Sequence, residues 1–76
     1  MNILLIDFLE FVLDDCAIHI YDPDNNLIMK FKNKDEVDDN MLSYFVIGCE
    51  YFYSKKTRFR VVNINIDIYA CDYENL

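Results

Sequence analysis

Residues that break regular structure are almost missing from this chain. Gly48 is the only glycine and Pro23 the only proline, and there is no tryptophan. A P-loop needs several glycines to cradle phosphates, so the sequence excludes nucleotide hydrolysis by that motif. His19 is the only histidine and no C-x-x-C pair occurs, so a zinc site is not expected. We predict a protein that is not an enzyme and holds no metal or cofactor.

Cysteines are few and widely spaced. Cys16, Cys49 and Cys71 are odd in number, which favours a reduced compartment over a disulfide framework. The apolar start MNILLIDFLEFVL lacks the basic residues that open a signal peptide. Asp7 and Glu10 interrupt it, and the run is too short to span a bilayer. We therefore expect a cytoplasmic protein without a membrane partner.

Positive charge is also scarce. The chain has 14 acidic and 7 basic residues, which gives a formal net charge of −7. Nucleic-acid binders and anionic membranes both need basic patches, so we expect no direct contact with either. The negative charge favours a cationic protein partner. The alternative is that this charge only keeps the protein soluble. A base-stacking alternative stays open, because the basic residues cluster on or beside two predicted hairpins. Its candidate aromatic residues are Tyr44, Tyr51, Phe52 and Tyr53.

The N-terminal segment has the pattern of a helix. Asn2 is a suitable N-cap, and Asp7, Glu10 and Asp14 follow on one narrow stripe. The other residues up to Leu13 are apolar, which is a wider apolar arc than a helix on one sheet face needs. Either the sheet curls around this helix or a second copy of the chain covers it as a homodimer. The residues then buried between protomers are Phe8, Phe11 and Val12.

Alternating apolar residues predict two hairpins. The first joins residues 16–21 to residues 27–31, with Ile18 and Ile20 on one face. The second joins residues 44–53 to a strand whose alternation becomes regular from Val62. Apolar residues occupy odd positions before this point and even positions from Val62 onward. Because this shift by one residue is typical of a β-bulge, we predict one near Val61 and Val62.

The order of elements predicts the fold class. A polar connector with one helical turn joins the hairpins, and residues 70–76 form a short acidic tail. We predict one α+β domain over residues 1–76, with an N-terminal helix packed on a four-stranded antiparallel sheet of two hairpins.

The turn DPDNN resembles the start of a calcium loop. Asp22, Asp24 and Asn26 take the first, third and fifth ligand places. The sixth and twelfth places hold Leu27 and Asn33, where such a loop needs Gly and Glu. The spacing therefore predicts a hairpin turn. A small enzyme or metal protein centred on these two aspartates and His19 is the remaining chemical alternative.

The whole pattern carries a resemblance. An apolar helix, the strand DDCAIHIYD, an acidic connector and the strand MLSYFVIG resemble small uncharacterised acidic proteins of Firmicutes phages and mobile elements. In size, acidity and lack of an enzyme motif, the chain is similar to anti-CRISPR and other anti-defence proteins as a class. The resemblance implies a phage inhibitor in the bacterial host cytoplasm that covers a cationic nucleic-acid groove. Its partner would be a host protein with a basic surface, such as a CRISPR effector complex.

The acidic surface for such a partner is predicted from the carboxylate-rich segments. Asp14, Asp15, Asp22 and Asp24 are expected at one end of the molecule, together with the connector carboxylates. The connector carboxylates are Asp35, Glu36, Asp38 and Asp39. The alternative function is a self-associating structural or accessory phage protein without inhibitory activity.

Overall fold

The computed structural model describes residues 3–69, and period-two alternation builds just under half of this range into strands. Five strands and one short helix form in this range, and two 3-10 turns, at Lys34–Glu36 and Asp39–Met41, interrupt the connector after β3. The α+β class is confirmed. The elements are β1 (Ile3–Leu4), α1 (Leu5–Leu9), β2 (Ala17–Tyr21), β3 (Leu27–Phe31), β4 (Phe45–Ser54) and β5 (Phe59–Asp67).

The strands form one mixed sheet in the order β1-β4-β5-β2-β3. β5 runs parallel to β2, and the other neighbours are antiparallel. The predicted four-stranded antiparallel sheet is therefore wrong in its detail. The first reason is that Ile3 and Leu4 add a strand at the edge. The second is that the β4–β5 hairpin docks with β5 alongside β2 in the same direction.

The helix is shorter than the sequence pattern predicts. α1 covers Leu5–Leu9, whereas we predicted a helix over residues 3–13, with Asn2 as its N-cap and its end at Asp14 and Asp15. Ile3 and Leu4 are extended because they pair with β4. Beyond the helix, the chain continues as turns in which a backbone N–H donates a hydrogen bond to the carbonyl oxygen three residues earlier. Asn2, the predicted N-cap, lies outside the described residues.

One face of the sheet carries the core. Ile18, Ile20, Ile64 and Ile66 point to this face and are fully buried, which confirms the predicted shared face of β2. α1 and the connector cover them, the connector through Val37. Burying such side chains removes apolar surface from water and is the main stabilising term of the fold.

The predicted bulge is misplaced. β5 pairs with β4 and β2 without interruption at Val61 and Val62, and the irregularity lies in β4 between Val46 and Gly48. Val61 and Val62 are both buried although they point to opposite faces of the sheet. The apolar residues shift from odd to even positions because both faces of the sheet carry apolar side chains at this end of β5. On the face of Val61, the paired residue of β4 is Phe52.

The first hairpin forms as predicted. Its turn is closed by the Asp22 carboxylate, which accepts the N–H of Asp24 at 2.8 Å and that of Asn26 at 2.9 Å. These hydrogen bonds, above all the backbone bond from Asn26, lower the pKa of Asp22. Asn25 takes the left-handed conformation at φ 67°, which asparagine tolerates. The Asp22 carboxylate therefore serves the turn.

The second hairpin projects beyond the rest of the sheet. β2 begins its pairing with β5 at Ala17 and Val61, whereas β4 and β5 stay paired as far as Ser54 and Phe59. We call residues 52–60 the hairpin arm. It helps to make the molecule elongated, with extents of 48 × 23 × 22 Å. No helix within residues 3–69 is long and apolar enough to cross a membrane.

Candidate functional site

The predicted acidic surface is divided by the fold. Asp14 and Asp15 precede β2, whereas Asp22 and Asp24 follow it. A strand rises about 3.3 Å per residue, so a five-residue strand separates the two pairs by roughly 17 Å. They do not share one end of the molecule, contrary to our expectation. The two pairs of aspartates are close in sequence, but the extended strand β2 between them holds them apart in the structure.

Three carboxylates, those of Glu10, Asp14 and Asp35, do come together around Lys34. Its Nζ donates to the carbonyl oxygen of Val12 at 2.9 Å and lies 3.4 Å from Oδ1 of Asp14. Glu10 and Asp35 border the same shallow depression as Lys34. We call the exposed carboxylates of α1, the following turn and the connector the acidic layer. Its members are Asp7, Glu10, Asp14, Asp35, Glu36, Asp38 and Asp39.

Local capping fixes the connector part of the acidic layer. Oδ1 of Asn33 accepts the backbone N–H groups of Asp35 at 3.0 Å and Glu36 at 3.2 Å, which begins the first 3-10 turn. Asp38 caps the second turn in the same way. Val37 between the turns is buried and anchors the segment to the core. The flanking carboxylates therefore remain on the surface, and Lys34 is the one cation within residues 33–44.

Sequence reasoning missed part of this surface. Asp7 and Glu10 were interpreted only as the polar edge of the helix, and no pattern in the sequence indicated that Asp35 of the connector lies beside Glu10. Asp15, which we predicted as a partner-binding residue, instead pairs with Arg60, with Oδ2 and Nη1 2.6 Å apart. Asp22 and Asp24 stay in the hairpin turn.

An apolar groove runs between the end of α1 and β4. Its volume is about 420 Å³. Of the residues predicted for self-association, Phe8 and Val12 pack against the core of their own chain, whereas Phe11 is 80% exposed. The groove is lined by Phe8, Phe11, Val12, Leu13, Cys16, Cys49, Tyr51 and Val62.

The sheet keeps Cys16 and His19 apart. Cys16 is buried on the helix side, and burial, followed by the charge of Asp15, raises its pKa. His19 lies on the opposite face, where burial and then the charge of Lys30 lower its pKa. Both described cysteines, Cys16 and Cys49, are free thiols. Within residues 3–69, no group of three or more His, Cys, Asp or Glu side chains is placed to hold a metal ion.

The sheet face turned away from α1 is the open face. A polar row crosses it, because His19 pairs with Lys30 on one side and with Asn63 on the other, and Asn63 pairs with Glu50. Nearer the arm, an apolar row joins Ala17, Val61 and Phe52. A depression of about 300 Å³ lies here, lined by Ala17, His19, Lys30, Phe31, Lys32 and Phe59.

The four aromatic residues considered for base stacking do not share one surface. Tyr51 and Tyr53 alternate with Phe52, so they point to the helix side and Phe52 to the open face. Tyr44 precedes β4 and packs against the core. Phe52 has another aromatic neighbour on the open face, Phe59 of β5, which sequence reasoning assigned only to a strand.

Comparison with protein-family models, curated proteins and solved structures finds no match to this chain. The resemblance to anti-defence proteins therefore stays a prediction. Within residues 3–69, three surfaces are candidates for function: the acidic layer, the apolar groove and the open face.

Proposed function

We propose that this protein is a non-enzymatic, phage-encoded inhibitor that lays its acidic layer over a cationic nucleic-acid-binding surface of a host complex. The observation that supports this function is the acidic layer itself. Glu10 at the end of α1 and Asp35 of the connector border one depression with Lys34, and Lys34 is already paired with Asp14. A partner rich in Lys and Arg, such as a CRISPR effector complex, has the complementary charge.

The mechanism is surface occlusion. Asp14 is 88% exposed despite its ion pair, so its carboxylate remains available to a partner. Exposed charges steer encounter over about 10 Å at ordinary ionic strength and lose this effect as salt rises. A host groove that binds phosphates offers the matching row of cations. Binding of the acidic layer then competes directly with nucleic acid for that groove.

Capture from a bacterial lysate containing CRISPR effector complexes tests this function. We expect the immobilised protein to retain an effector at low salt, to release it at moderate salt, and to block its binding of nucleic acid. The double variant Asp35→Lys/Asp39→Lys should weaken capture about tenfold or more, because rim charges of the partner then meet like charges. Neither residue caps a 3-10 turn, so the fold should be retained.

The matched control reverses two carboxylates outside the acidic layer. Asp24→Lys/Glu50→Lys changes the net charge by the same amount and should leave capture within about twofold. Equal loss in both variants would show that only the net charge matters. Undiminished capture and inhibition by the Asp35→Lys/Asp39→Lys protein would disprove the occlusion mechanism.

A second candidate function, self-association as an accessory protein, is favoured by one observation. Phe11 is 80% exposed at the rim of the apolar groove, which offers a second copy both an anchor and a pocket. Light scattering should then report a dimer that Phe11→Ser converts to a monomer, while Leu27→Ser, at another exposed apolar residue, has no effect. A strict monomer at high concentration would remove this function.

A further inference from the structure

Charge is unevenly distributed over this molecule. The net charge of −7 led us to expect no direct nucleic-acid contact, which treats the surface as uniform. Residues 52–60 of the hairpin arm contain no carboxylate and carry Lys55, Lys56, Arg58 and Arg60. Arg60 is engaged with Asp15, and the acidic layer lies on the other side of the sheet. The arm and the part of the open face next to it, around Lys30 and Lys32, are therefore a basic region on an acidic protein, and Glu50 lies farther along that face.

The depression on the open face joins cations to an aromatic ring. Lys30 and Lys32 stand on one side of it and Phe59 on the other, with Ala17 in between on the neighbouring strand. Phe59 is 51% exposed, so its ring is available for stacking. Ammonium groups beside an exposed ring match a ligand that carries a phosphate and a planar base.

A second aromatic ring extends this site across the sheet. Phe52 of β4 is 47% exposed and points to the same face as Phe59. The two residues belong to neighbouring strands, since Phe52 pairs with Val61 and Phe59 with Ser54. Successive bases of a single strand can stack on two such rings without a requirement for sequence.

An unsatisfied acceptor lies next to this surface. Oδ1 of Asn63 is buried and has no hydrogen-bond partner among the described residues. Asn63 pairs with His19, which borders the depression. Buried acceptors normally have a donor, and one left unpaired costs free energy. An N–H group of a bound base can donate a hydrogen bond to this oxygen once the side chain of Asn63 rotates toward the ligand.

We propose that the open face and the hairpin arm bind single-stranded nucleic acid, with Lys30, Lys32, Lys55, Lys56 and Arg58 on phosphates and with bases stacked on Phe52 and Phe59. A second copy fits this face less well. A two-fold contact would bring the lysines of both copies together, and like charges across an interface oppose association. This site lies opposite the acidic layer, so the lysate experiment does not decide it.

Fluorescence anisotropy with a labelled oligothymidylate of about 12 nucleotides tests the proposal on the whole chain. We expect binding at low salt that weakens as salt rises, because each phosphate contact releases counterions. The variant Lys30→Gln/Lys32→Gln should weaken binding about tenfold at low salt. It should also reduce the slope of log K against log salt by about 1.4, or about 0.7 for each lost phosphate contact on a single strand.

A lysine from the other side of the sheet supplies the matched control. Lys34→Gln removes one positive charge, half the change of the double variant, but Lys34 lies among the carboxylates of the acidic layer, so affinity and salt slope should stay unchanged. Phe59→Ala should weaken binding about tenfold with no change in slope, because stacking releases no counterions.

Arg58 separates loss of binding from loss of folding. It holds φ at 56°, a left-handed conformation that glycine adopts without steric cost. Arg58→Gly should therefore leave the unfolding midpoint unchanged or raised, while it reduces the salt slope by about 0.7.

Three results would overturn the proposal. The first is no binding of the oligonucleotide at low salt by the folded protein. The second is equal loss in Lys34→Gln and Lys30→Gln/Lys32→Gln, which would place the contact elsewhere. The third is competition by thymidine monophosphate at the same concentration as the oligonucleotide, which would assign the depression to free nucleotides. Protein assemblies that Phe59→Ala abolishes, without oligonucleotide binding, would instead assign the face to a second copy.

Discussion

Replacing Ile64 with alanine should lower the free energy of unfolding by about 2–5 kcal/mol. Ile64 is fully buried in β5 and lies between β2 and β4, opposite Ile20 and Cys49. The truncation removes transfer free energy and leaves a cavity that neighbours on two strands cannot easily fill. A domain of this size has a total stability of only about 4–11 kcal/mol, so the loss is a large fraction of it.

Urea denaturation followed by circular dichroism measures this loss. Ile47→Ala is the matched control, because Ile47 is 52% exposed on the neighbouring β4 and should change stability by no more than about 0.5 kcal/mol. An unchanged m-value would show that the shift in midpoint reports stability itself. Equal losses in the two variants would contradict the placement of Ile64 at the centre of the sheet.

Local patterns predicted the strands well because alternate residues of a strand point to opposite faces of the sheet, so the alternation of apolar residues identifies the buried face. The alternation around Ile18 and Ile20 identified the buried face of β2, and the turn residues between β2 and β3 identified the hairpin. Nothing local distinguishes an antiparallel from a parallel neighbour, however. The docking of β5 beside β2 brings together residues about forty positions apart, such as Ile18 and Val62, and depends on packing of the whole sheet.

The surfaces were harder to predict than the strands for the same reason. The charges of the acidic layer come from α1 and from a connector that lies beside it only after Val37 enters the core. The basic region likewise needs Lys30 and Phe59, which are distant in sequence, to meet on one face. Net charge is a sum over the chain and carries no information about such segregation.

Replacing Leu5 with alanine should also lower the free energy of unfolding by about 2–5 kcal/mol, whereas Ile6→Ala should change it by no more than about 0.5 kcal/mol. These neighbours on α1 differ sharply in environment, because Leu5 is 0% exposed and Ile6 is 48% exposed. The apolar sequence around α1 does not distinguish them. The N–H groups of Leu5 and Ile6 donate to the carbonyl oxygens of Tyr44 at 2.8 Å and Leu42 at 3.1 Å.

These two bonds fix the rotation of α1 against the connector, and that rotation directs Leu5 into the core. Thermal or urea unfolding of both variants at low protein concentration therefore measures which side of α1 the protomer itself buries. A larger loss from Ile6→Ala than from Leu5→Ala would mean that the helix is rotated and that the acidic layer is arranged differently. The predicted difference would instead leave the Ile6 side of α1, beside Asp7 and Glu10, available to a partner of the acidic layer.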